Sequence, residues 1–253
     1  MIDAYDGRFS RRRAFGLLTA AAATLGGCGA YPSTASPSTT SAQRPAAQDT
    51  DGDDPRIGPD EAWHMLEAGN ARFIDGTPQH PHSDSSWRNS LIDEQHPIAS
   101  ILSCADSRVP PELVFDQGFG DLFTIRSAGE VLDEAVLGSL EYGVEHLDTP
   151  LVVVLGHSGC GAVQATIDAV RGDAQPRGHV AALVQAVEPA VLTVSDDLGE
   201  DEFLAASVNE QARRVAEALP ARSSSIRRAV EQDRIQIVVA VYDLATGRVE
   251  RKL

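Results

Sequence analysis

Four short apolar runs constrain this chain more than any other feature: residues 98–103, 122–126, 151–155 and 235–241. Each is apolar at successive positions, not at alternate ones, which is the pattern of strands buried on both faces. Helical patterns separate them. Residues 135–147 put Ala135, Val136, Leu140, Val144 and Leu147 on one face, and 161–170, 180–191, 202–219 and 225–232 are further helices. An earlier helical pattern starts at Pro59 and carries Trp63, Leu66, Ala71, Phe73 and Ile74, with Gly69 and Gly76 as breaks. A polar stretch rich in His and Ser follows, over 77–89. Strands alternating with helices predict one α/β domain over 56–253, with a central, mostly parallel β-sheet flanked by helices. Thr246-Gly247 predicts a turn and a short return strand after the last apolar run.

The first 55 residues read differently. Arg11-Arg12-Arg13-Ala14-Phe15 precedes an apolar, Ala-rich run of 16–25, too short to span a bilayer permanently. Residues 1–28 have the parts of an export signal, and the paired arginines resemble the twin-arginine type, which carries folded proteins. Leu25-Gly26-Gly27-Cys28 resembles a bacterial lipobox, in which Cys28 is acylated; an ordinary cleaved signal with a chance cysteine is the other reading. Residues 29–55 are Ser, Thr, Pro, Ala, Gln and Asp with almost no large apolar side chain, which predicts a disordered tether. The expected location is the outer face of the bacterial cytoplasmic membrane, reached through the lipid anchor alone. A formal charge of −16 argues against nucleic acid as a partner and against a basic patch on anionic lipid.

Chemistry concentrates where two of the strands stop. Cys104-Ala105-Asp106-Ser107-Arg108 follows the first run, and His157-Ser158-Gly159-Cys160-Gly161 follows the third. In open parallel sheets, sites form beyond the carboxyl ends of strands, so the two clusters can converge. Cys104, His157 and Cys160 then give zinc three ligands and leave a fourth tetrahedral position. Water in that position makes an open site; Asp106 in it makes a closed, silent one. Arg108, two residues on, can hold Asp106 in a charge-assisted pair. The competing reading is a Cys104–Cys160 disulfide in an exported protein.

From about Pro59 onward the sequence resembles a β-class carbonic anhydrase. The resemblance rests on Gly69-Asn70-Ala71-Arg72-Phe73, Cys104-Ala105-Asp106-Ser107-Arg108-Val109, Pro111-Glu112 and Gly120-Asp121-Leu122-Phe123. Arg126-Ser127-Ala128-Gly129, Ser139-Leu140-Glu141-Tyr142, Gly156-His157-Ser158-Gly159-Cys160-Gly161-Ala162 and Tyr242-Asp243-Leu244 complete it. It implies reversible hydration of carbon dioxide to bicarbonate by a lyase carrying one Zn2+ per subunit, on Cys104, His157 and Cys160. It implies Asp106 and Arg108 as catalytic dyad, Gln95 as a substrate contact, and Phe123 and Tyr142 as apolar pocket positions. Tyr142 would reach in from the neighbouring subunit, and the Gly161 backbone N–H would orient Asp106. A homodimer or a dimer of dimers is implied as well. Phe119-Gly120 stands where the family usually has Pro-Gly, and Ser127 where it usually has Asn. The alternatives are a carbonyl sulfide or carbon disulfide hydrolase on the same fold, and a non-catalytic zinc-binding bicarbonate sensor. For the product proton, His96 and buffer are the candidate carriers.

Overall fold

The computed structural model describes residues 57–252; the export signal, Cys28 and the tether lie outside the described residues. Two helices come first, α1 (Pro59–Ile74) and α2 (Ser85–Ser90). They are followed by β1 (Ala99–Cys104), the single-turn α3 (Pro111–Val114), β2 (Leu122–Ser127) and a 3-10 turn at Ala128–Glu130. Next are α4 (Glu134–His146), β3 (Leu151–His157), α5 (Gly161–Arg171), α6 (Val180–Val191), α7 (Glu200–Arg222) and α8 (Ser224–Glu231). The chain ends in β4 (Gln236–Tyr242) and the return strand β5 (Val249–Arg251). All five predicted strands are present. One sheet runs β2-β1-β3-β4-β5, with the first four parallel and β5 antiparallel to β4.

The continuous apolar runs are explained by cover on both faces. Alternate residues of the inner strands face opposite sides. Leu102, Val152, Val154 and Val239 pack with α4, α7 and α8, while Ile101, Val153, Leu155 and Val238 pack with α1. Every residue of β1 and β3 is buried, whereas β2, at the sheet edge, is only partly covered.

Two expectations change. Gly69 does not break α1, which runs through it. A Cβ there would stand 1.7 Å from the Phe115 carbonyl oxygen, so the glycine permits close approach of helix and loop. The polar stretch also contains an element: Asp84 accepts from the backbone N–H groups of Ser86 and Trp87 and starts α2.

The first helix is tied to the last hairpin by one amide. Buried Asn70 donates from Nδ2 to the carbonyls of Val114 (3.0 Å) and Gly247 (2.8 Å), and its Oδ1 accepts from Val249 N–H (2.9 Å). Replacing Asn70 by Ala leaves those groups without their partner, so a loss of about 2–4 kcal/mol is expected. Urea unfolding measures it, and an unchanged midpoint would mean that these bonds carry no stability.

Candidate metal centre

The chain leaves β1 for β2 on one side and later returns to place β3 on the other side of β1. The strand order therefore reverses between β1 and β3, and in such sheets the crevice at the reversal is where ligands bind. Cys104 is the last residue of β1 and His157 the last of β3. Their strands pair in register, Ser103 opposite Leu155, so both side chains emerge at the same end. Gly159, with φ of 63°, turns the backbone so that Cys160 comes back beside them at the start of α5.

The ligand atoms of Cys104, His157 and Cys160 lie within 4.8 Å of one another, and all three residues are buried. Both cysteines are free, which excludes the disulfide, and their Sγ atoms are 4.0 Å apart. Two thiolates on one tetrahedral zinc stand about 3.8 Å apart, so the spacing fits that ion. His157 places Nδ1 3.0 Å from the Ser158 carbonyl oxygen, which makes Nδ1 the donor and leaves the lone pair on Nε2. Nε2 is buried and has no hydrogen-bond partner in the protein. A buried nitrogen of this kind calls for a partner, and a metal ion satisfies it.

Hydrogen bonding from Cys160 holds the Cys104 thiol low, at about 4, against the effect of burial. That contact and burial push Cys160 upward. The contact therefore favours one thiolate and one thiol over two thiolates in this pair.

Asp106 sits beside this group. Arg108 donates to Oδ1 from its backbone N and its Nε (2.9 Å each) and to Oδ2 from Nη2 (2.7 Å). These bonds hold the carboxyl far below the usual carboxylate range. Oδ2 is 4.0 Å from His157 Nε2. Arg126 fastens the same loop from β2, donating to the carbonyls of Cys104 (2.9 Å) and Asp106 (2.5 Å). Gly161 is the first residue of α5, and a Cβ there would meet nothing within 4 Å.

The remaining sequence candidates gather elsewhere in the chain. Gln95 and Tyr142 line a cleft of about 790 Å³ between α4 and the segment before β1, and the Phe123 ring lies 6.0 Å from that of Tyr142. Cys104, Asp106, His157 and Cys160 do not line that cleft. His96 does line it, and so does His146, which sequence reading passed over although it lies one turn after Tyr142 with ring centroids 5.0 Å apart.

Three further residues behind the cysteines have roles that no sequence motif assigned. Gly129 N–H donates to Cys104 Sγ (3.3 Å), and Gln211 Nε2 donates to the Gly129 carbonyl (2.9 Å). Glu130 is 1% exposed with φ of 52°, and burial, then the charge of Cys104, pushes its carboxyl well above its ordinary value. Of the three, Gly129 alone belongs to a sequence motif, Arg126-Ser127-Ala128-Gly129; Gln211 lies too far along the chain for any local pattern to connect it.

A family model described as carbonic anhydrase matches residues 99–249. A carbonic anhydrase of Mycolicibacterium smegmatis is 45% identical over 203 residues, covering 78% of this chain and 94% of that protein. Carbonic anhydrase 2 of Mycobacterium tuberculosis is 44% identical over 197 residues, covering 77% and 93%. The structure of a β-carbonic anhydrase of Aspergillus fumigatus has the same fold, with a TM-score of 0.61 at 23% identity over 75% of this chain and 89% of that one.

Because the contact favours one thiolate and one thiol, zinc uptake near pH 7 is expected to release about one proton from the pair. Calorimetric titration in buffers of different ionisation enthalpy counts it. Release of two would mean that the contact does not favour that state.

Proposed function

The chain belongs to the β-class carbonic anhydrase family, and from that premise and its metal centre we infer that it converts carbon dioxide and water reversibly to bicarbonate and a proton on one zinc ion per subunit. The observation that carries the reading is Asp106, ionised and gripped by Arg108 with Oδ2 4.0 Å from the ligating nitrogen of His157. Cys104, His157 and Cys160 would hold zinc, whose Lewis acidity would make water a nucleophile near neutral pH.

The chain's own groups do the rest. Arg108 fixes the Asp106 carboxylate so that one oxygen can accept a hydrogen bond from the attacking oxygen and turn its lone pair toward carbon. The same hold would compete with Asp106 serving as a fourth ligand to that ion. Gln95 donates to the substrate oxygen where negative charge develops, and Phe123 and Tyr142 supply the apolar wall. Gly161, at the N-terminal end of α5, offers its N–H to Asp106. A non-catalytic bicarbonate sensor has no use for the Asp106–Arg108 pair.

Gln95 and Tyr142 line a cleft apart from the ligands within one chain, so the working pocket is completed by a second subunit. In a homodimer, or in each half of a dimer of dimers, the cleft of one subunit closes over the metal of its partner. His96 and His146 in that cleft are then placed to take the product proton to buffer.

Stopped-flow hydration of carbon dioxide by the zinc-loaded protein tests this. Cys160→Ser is expected to lose zinc and activity, and Tyr142→Ala with Gln95→Ala to keep zinc but lose most activity. Co-expressed, the two inactive chains form hybrids with one intact site, restoring about a quarter of wild-type activity. Full activity in Cys160→Ser refutes the metal assignment, and absence of rescue refutes the shared pocket.

We further propose that the enzyme works outside the cytoplasm, exported by the twin-arginine route and held by a lipid on Cys28. Support comes from the order of paired arginines, apolar run, lipobox and polar tether. A soft-ligand site benefits from a route that exports folded, already loaded protein. Cys28→Ala is expected to move the protein from the membrane to the soluble fraction with its specific activity unchanged; continued membrane association would refute the anchor.

A further inference from the structure

We infer that Gln211 is a positioning residue for the metal centre, acting on the Cys104 ligand through the backbone of Gly129. This rests on the reading of Cys104 as a zinc ligand, and it assigns a role to a helix that contributes no ligand. Gln211 lies on α7 and is 3% exposed. A primary amide so placed costs free energy unless its groups are paired, and an apolar side chain would serve a purely packing role better. Its Nε2 donates to Gly129 O, and Gly129 N–H donates to Cys104 Sγ, both bonds being buried.

The turn between the two bonds needs holding. Gly129 and Glu130 both have positive φ, 67° and 52°, and the second is a residue for which that conformation is unfavourable. A Cβ on Gly129 would come within 3.1 Å of Ala162 Cβ and 3.3 Å of Val187 Cγ2, so α5 and α6 press on the turn from outside. Gln211 holds it from within. Without the amide, the Gly129 carbonyl loses its partner, the two left-handed residues relax, and the N–H turns away from the sulfur. A thiolate that accepts an N–H donates less charge to its metal, so this bond sets both the direction and the donor strength of Cys104.

The test compares the full chain with two variants. Gln211→Met keeps the length and removes the donor. Val215→Ala, one turn further along the same helix and packed in the core around β1 and β3, weakens α7 while leaving the Gln211 amide in place. Chelator competition gives zinc affinity, and the thiolate-to-cobalt absorption of cobalt-loaded protein reports on the sulfur bond directly. Gln211→Met is expected to weaken zinc binding about 10- to 100-fold and to shift the cobalt band. Val215→Ala should leave both as in wild type, even where it costs equal stability. Wild-type behaviour in Gln211→Met overturns the assignment, and so do changes that follow stability alone in both variants. Should Gln211→Met not fold, the wild-type protein loaded with cadmium-113 still decides: spin coupling between the metal and the Gly129 amide proton is required, and its absence overturns the relay. Failure of the wild-type chain to bind zinc or cobalt at all would instead refute the metal reading beneath it.

Discussion

The parallel pairing of β1 with β3 is the constraint on which the rest of this structure depends. Because the strand order reverses there, the two connections leave the shared end in opposite directions and open a crevice between them. Cys104 and His157 need only be the last residues of their strands to face each other across it. The fold thus sets two of three ligands by strand length alone. Complete burial of both strands makes that placement stiff, since neither can slip without exposing apolar side chains.

Around that point, charge is arranged in two separate pairs. The two thiols face each other in the interior, 4.0 Å apart, and Asp106 pairs with Arg108 at the rim. The buried pair suits a dication, which exchanges for the remaining proton. The rim pair is held ionised and oriented without leaning on the metal. Glu130 does not upset this balance, because burial favours its neutral form.

Much of this was legible in the sequence for physical reasons. Runs such as Val152–Leu155 have to be strands buried on both sides, and the clusters following two of them mark the carboxyl ends. What failed had a different origin. Gly69 in α1 looked like a stop, since nothing nearby in the chain discloses the Phe115 carbonyl that demands its missing side chain. A disulfide and a metal site also use the same two cysteines, and only the 4.0 Å separation of two free sulfurs decides between them. The partners of Gly129 were out of reach for the same reason as Gly69: they are set by tertiary packing across α7, which leaves no local pattern.

The single amide joining the first helix to the last hairpin has a consequence in time. Asn70 and Val249 are 179 residues apart, so at about 5–20 residues per second the ribosome finishes the acceptor's partner roughly 10 to 35 s after the helix emerges. Over that interval α1 has its apolar stripe and the bond from Asn70 to Val114, but not the two that reach the last hairpin. The nascent chain therefore passes through a stage with its sheet incomplete and its first helix loosely seated. Closure waits for the return strand, and a molecule released before that strand was made would stay open at the seam.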